Sequence, residues 1–162
     1  MSELLDLCKD TEFFRYFLEI SKIPHGSGNC KKIVDYLCEF AEAKGLKYYR
    51  DEADNLLITK EASEGYGDRP AVIIQGHTDM VAEKTADSKR DMTDEGIEVL
   101  CDGEYLFAKD TPLGGDDGIA VAYALAILAD DNLLAQTYLC LALGRDAVVA
   151  TTASVTVDIN YS

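Results

Sequence analysis

The sequence predicts an α/β fold in which a mixed sheet is flanked by helices. Three observations carry that expectation. Helix-period and strand-like apolar patterns interleave along the chain. The stretch Pro70-Ala71-Val72-Ile73-Ile74-Gln75 is a short continuous apolar run, the pattern of a strand covered on both faces. Downstream, the loop Gly114-Gly115-Asp116-Asp117-Gly118 feeds straight into a strongly apolar segment of helical length.

The elements follow in order. Residues 11–22 set Phe13, Phe14, Phe17, Leu18 and Ile20 in a helical stripe that stops before Pro24. A loop through His25, Gly26, Ser27 and Gly28 follows, with Ser27 or Asn29 available to cap a second helix. That helix spans 31–44, where Ile33, Val34, Leu37, Phe40 and Ala41 repeat at i, i+3, i+4, and Gly45 marks its end. Residues 46–50 and 55–59 read as paired strands joined by an acidic turn at 51–54. After the 70–75 strand, 82–98 is polar and aperiodic, as in a long functional loop. A strand near Val99 turns at Asp102-Gly103 into Tyr105-Leu106-Phe107. The apolar helix occupies 119–129, and 137–143 and 154–159 read as two last strands. There is no internal repeat and no linker, so 1–162 is expected to be one domain.

Composition narrows the partners. Thirty acidic against 15 basic residues give a net charge of −15, which repels phosphate backbones and argues against nucleic acid. Five cysteines (Cys8, Cys30, Cys38, Cys101, Cys140) are scattered without CxxC spacing, so neither a disulfide framework nor a cysteine zinc site is expected. The start of the chain lacks the basic and apolar regions of a signal peptide, and no apolar run approaches membrane-spanning length. A cytoplasmic protein without membrane contact is the expectation.

Chemistry concentrates in two places. His77 lies just past the carboxyl end of the 70–75 strand, where open α/β sheets bind ligands. Gly76 beside it permits close backbone approach. Asp79, two residues on, faces the same way in extended backbone and can hold one imidazole nitrogen while the other is aimed at a metal. The same residues also suit a polar turn around a satisfied histidine, and local chemistry is evenly divided between the two. At Asp116-Asp117, adjacent carboxylates repel each other, which a divalent cation would relieve. Aspartate is equally a preferred helix cap, so one carboxylate is expected to cap and the other to stay free for a ligand. The glycines there form no dinucleotide fingerprint. His25 reads as structural or close to substrate.

Taken jointly, four stretches resemble one family. They are Ser21-Lys22-Ile23-Pro24-His25-Gly26-Ser27, Asp54-Asn55-Leu56-Leu57-Ile58, Gln75-Gly76-His77-Thr78-Asp79-Met80-Val81 and Thr111-Pro112-Leu113-Gly114-Gly115-Asp116-Asp117-Gly118-Ile119-Ala120. In order and spacing, through Asn132, they resemble the aminoacyl-histidine dipeptidases, the cytosolic non-specific branch of the M20 dinuclear zinc peptidases. The resemblance implies an M20-type catalytic domain and metal-dependent hydrolysis of dipeptides of the Xaa-His type, with two Zn2+ ions. It assigns His77 as a metal ligand, Asp79 as the catalytic-site aspartate that orients it, and Asp116 as the carboxylate bridging the metals. Asp117 matches a neighbouring position that need not ligate.

The resemblance stops after Asn132, and 133–162 diverge. The family would next show a Glu-Glu pair, general base and ligand; here stand Leu143-Gly144-Arg145-Asp146-Ala147. No glutamate follows Glu104 and no histidine follows His77. Asp146 falls near the base position but is one methylene shorter, and Ala147 cannot ligate. The chain is therefore expected to be a truncated or rearranged part of the catalytic domain without the lid domain, and inactive by itself. Other readings are a non-catalytic α/β domain or remnant, or an amidohydrolase of another M20 branch. Short peptides are the expected partners. A homodimer through an exposed strand, 137–143 or 155–159, would cover surface that the rest of a catalytic domain otherwise protects.

Overall fold

A computed structural model describes residues 10–133 and, for its backbone, the strand 138–143. The first helix, α1 (Glu12–Ile20), buries Tyr16, Phe17 and Ile20 on one side. The second, α2 (Lys31–Ala43), buries Ile33, Val34, Leu37, Phe40 and Ala41, the stripe read from its periodicity. It ends where Gly45 takes a left-handed φ of 66°. The amides of Gly45 and Leu46 then turn back onto the Glu42 and Ala41 carbonyls.

Strands β1 (Lys47–Arg50) and β2 (Leu56–Lys60) pair antiparallel, Lys47 opposite Thr59. Asp51 organises the turn between them by accepting from the amides of Ala53 and Asn55 and from the Asn55 side chain. Strand β3 (Val72–His77) follows, then the short hairpin β4 (Val99–Cys101) and β5 (Leu106–Ala108). Helix α3 (Gly115–Ala129) and strand β6 (Tyr138–Leu143) complete the order. The main sheet runs β1-β2-β6-β3, with β6 antiparallel to β2 and parallel to β3, so the sheet is mixed as expected. Helices α1, α2 and α3 enclose the core with Leu56 and Ile58 of β2. Gly118 lets α1 and α3 close on each other: a Cβ there would sit 3.2 Å from the Phe17 ring.

Five expectations need correction. The 70–75 run forms a strand, but Ile73 is 51% exposed and Gln75 is exposed, because only the side carrying Ile74 packs on the core. Neither Ser27 nor Asn29 caps α2; its N-cap is Cys30, and no side chain caps it. Helical bonding in α3 reaches back to Gly115 rather than starting at 119, though Asp116 and Asp117 keep non-helical backbone. Its N-cap is Gly114 at φ 72°, so neither aspartate caps. Of the two strands considered for a dimer contact, β6 lies inside the sheet with both edges hydrogen-bonded. The other, 155–159, lies outside the described residues, as do Asp146 and Ala147.

Candidate metal site

The site is assembled where three segments meet at the carboxyl end of β3. The first is the end of β3 itself, with His77 followed by buried Thr78 and by Asp79. The second is the loop after α1. His25 is buried there with Nδ1 2.6 Å from the Ile23 carbonyl, and its own carbonyl accepts from the Met80 amide. Gly26 bridges to Met80, and a Cβ on it would stand 2.6 Å from Ala82 Cβ, so only glycine lets the loop lie this close. The third is the start of α3. A Cβ on Gly76 would meet Asp117 Oδ2 at 3.1 Å and Ala120 Cβ at 3.2 Å, so the missing side chain admits the helix start beside the strand end.

His77 is held from both sides. Its Nδ1 lies 2.9 Å from the Asp79 carbonyl and 3.1 Å from Asp79 Oδ1, while Nε2 lies 3.1 Å from Asp116 Oδ1. Asp79 thus stands on the nitrogen where an orienting carboxylate belongs. Asp116 stands on the nitrogen left for a ligand, although its side chain is 96% exposed. When Nδ1 carries the proton, Nε2 and Asp116 Oδ1 are two lone-pair acceptors in contact, and only a proton or a cation between them makes that favourable. Burial alone would lower the His77 pKa, but the bonds to the Asp79 carbonyl and Asp116, with the charges of Asp79 and Asp117, raise it above its ordinary value. His25 goes the other way: burial pushes its pKa down, against the Ile23 carbonyl and the Asp79 charge.

The three residues singled out from the sequence are therefore brought together, and His25 lies nearby as part of the scaffold. In the sequence Ser27 has no role at the site, only a place as a possible cap and at the end of the family-like stretch 21–27. Its hydroxyl donates to Asp79 Oδ2 at 2.5 Å and lies 3.3 Å from the Met80 carbonyl. The place of Ser27 in that stretch was the available signal, and only the fold shows that its hydroxyl meets Asp79. Among the described residues no set of three His, Cys, Asp or Glu side chains converges as a metal cage would. His77 and Asp116 are two candidate donors, fewer than the three protein ligands of a catalytic zinc site.

No protein-family model matches the chain. The cytosol non-specific dipeptidase of Escherichia coli (strain K12) is 40% identical over 134 residues, which is 83% of this chain and 27% of the relative. Among solved structures, aminoacylhistidine dipeptidase from Vibrio alginolyticus superposes with a TM-score of 0.78 at 34% identity, over 81% of this chain and 27% of that one. A tripeptidase from Staphylococcus aureus subsp. aureus Mu50 superposes at 0.66 with 22% identity, over 82% of this chain and 36% of that one, a likeness of fold. The chain spans about a quarter of the length of the two dipeptidases it matches. Within that quarter, the chain is similar in sequence and fold to these two dipeptidases.

Proposed function

We propose that the chain supplies one wall of a zinc-dependent dipeptidase site acting on short peptides of the Xaa-His type in the cytoplasm. The observation that carries the reading is His77 set between Asp79 on Nδ1 and Asp116 on Nε2. His77 and Asp116 hold metal; Asp79 fixes the imidazole so that its free nitrogen faces the ion. Zinc held by His77 and Asp116 would supply Lewis acidity toward a peptide carbonyl and toward an attacking water. Two of the proteins named above are dipeptidases, which supports peptide hydrolysis as the activity served. No helix among the described residues is long and apolar enough to cross a membrane. Short peptides and a second copy of the chain are the proposed partners.

The 162 residues by themselves are proposed to bind zinc weakly and not to hydrolyse peptides. Two ligands fall short of a catalytic set, and no glutamate follows Glu104 to serve as base. A missing proton-transfer group costs on the order of 10²–10⁴ in rate. Zinc titration by calorimetry, comparing the intact chain with His77→Ala and Asp116→Ala, tests the ligand pair. Binding that is measurable in the intact chain and lost in both variants is expected; equal binding in all three overturns it. A dipeptide-hydrolysis assay with added zinc is expected to show no turnover, and clear turnover would overturn the claim that the residues present are insufficient.

A further inference from the structure

The loop after α1 does more than pack beside the site. Its backbone is tied to the strand end by two bonds, Met80 N to the His25 carbonyl and Ser27 N to the Met80 carbonyl, each 3.0 Å. With Gly26 pressed against Ala82, these bonds fix where Ser27 stands. The Ser27 hydroxyl then donates to Asp79 Oδ2, while Asp79 Oδ1 faces His77 Nδ1. Each oxygen of one carboxylate thus has its own partner. A hydroxyl-to-carboxylate bond is charge-assisted and roughly twice as strong as a neutral one. Without it Asp79 would be free to rotate about its terminal bond, and Oδ1 would leave the imidazole.

We infer that Ser27 is a positioning residue of this metal site, holding Asp79 so that Asp79 can hold His77. The inference rests on the reading of His77 as a ligand. It makes the loop after α1 part of the ligand's support, although that loop contributes no ligand. Ser27 is itself exposed, so replacing it leaves the core intact.

Two readouts on the full chain test this, with Ser27→Ala and with Ser27→Thr, which keeps a hydroxyl. In chelator-treated protein, at a pH where both imidazoles are neutral, long-range proton–nitrogen NMR reports which His77 nitrogen carries the proton. The intact chain is expected to hold it on Nδ1; Ser27→Ala shifts population to Nε2, and Ser27→Thr restores Nδ1. Zinc affinity by chelator competition is expected to fall about tenfold in Ser27→Ala, the lower end for loss of an outer partner of a metal ligand, and to recover in Ser27→Thr. Unchanged tautomer and affinity in Ser27→Ala, while His77→Ala abolishes binding, overturns the inference and leaves the metal reading standing. Zinc binding that ignores His77→Ala and Asp116→Ala overturns the metal reading instead. In that case a tautomer shift in Ser27→Ala still establishes the path from Ser27 through Asp79 to His77, and its absence overturns that too.

Discussion

His25 and His77, the two histidines of the chain, sit about the same carboxylate yet are shifted in opposite directions. His25 is buried, and burial holds its pKa below the ordinary 6.5; His77 is more open and hydrogen-bonded to Asp79 and Asp116, which raises its own. With metal removed, NMR titration is expected to show one imidazole titrating below 6.5 and the other above it, with His25→Gln removing the lower curve. Two coincident curves would contradict the geometry. The signs carry into stability. Below 6.5 the unfolded chain takes up a proton that folded His25 refuses, so His25 costs stability as pH falls toward its lowered value. The His77 contribution is fully present below 6.5 and is lost as pH rises through its raised value. Most of this site was legible in the sequence, because His77 and Asp79 are two residues apart in extended backbone and Asp116 starts a helix. Ser27 was not, since its hydroxyl looks the same in sequence whether it caps α2 or holds a carboxylate 52 residues away.

Element ends show where local signals lose to tertiary partners. Helix α3 has no basic residue in its last turn. Its C-terminal carbonyls are served from β2: Lys60 Nζ donates to the carbonyls of Ile127, Leu128 and Asp130 at 3.3, 3.1 and 2.6 Å. That places one positive charge at the negative end of the helix dipole and uses all three ammonium protons. Lys60→Met keeps the stem and removes the charge. It is expected to lower the urea midpoint with an unchanged slope, a loss of about 1–2 kcal/mol; an unchanged midpoint would show that water replaces the ammonium without cost. Nothing in the sequence links Lys60 to Leu128, whereas the helix interiors, the hairpin turn at Asp51 and the stop at Gly45 were readable from period and turn chemistry. The 70–75 run misled on burial for a related reason: a continuous apolar stretch names a strand, but which of its faces is covered depends on elements elsewhere.

At the scale of the whole molecule, charge and exposed surface compete. The net charge of −15 drives copies apart at low salt. Strand β3 is paired on one side only among the described residues, and it carries the half-exposed Ile73. Self-association through this edge is therefore expected to depend on screening. Sedimentation velocity should give a monomer at about 0.02 M salt and a reversible dimer at about 0.5 M, where charges more than a few ångströms apart no longer interact. Ile73→Lys should hold the monomer at both, and a wild-type chain that stays monomeric at high salt would rule the contact out. The fold class was legible because interleaved patterns leave few architectures open; the strand order was not, since no local signal says that β6 enters between β2 and β3. That insertion has a consequence in time. As the chain leaves the ribosome, the β1-β2 hairpin and β3 have no hydrogen bonds to each other. The centre of the sheet stays an open slot until residues 138–143 emerge and close it on both sides at once. Its assembly must wait for these long-range pairings, the kind that fold slowly. During synthesis, β3 emerges early and is paired late.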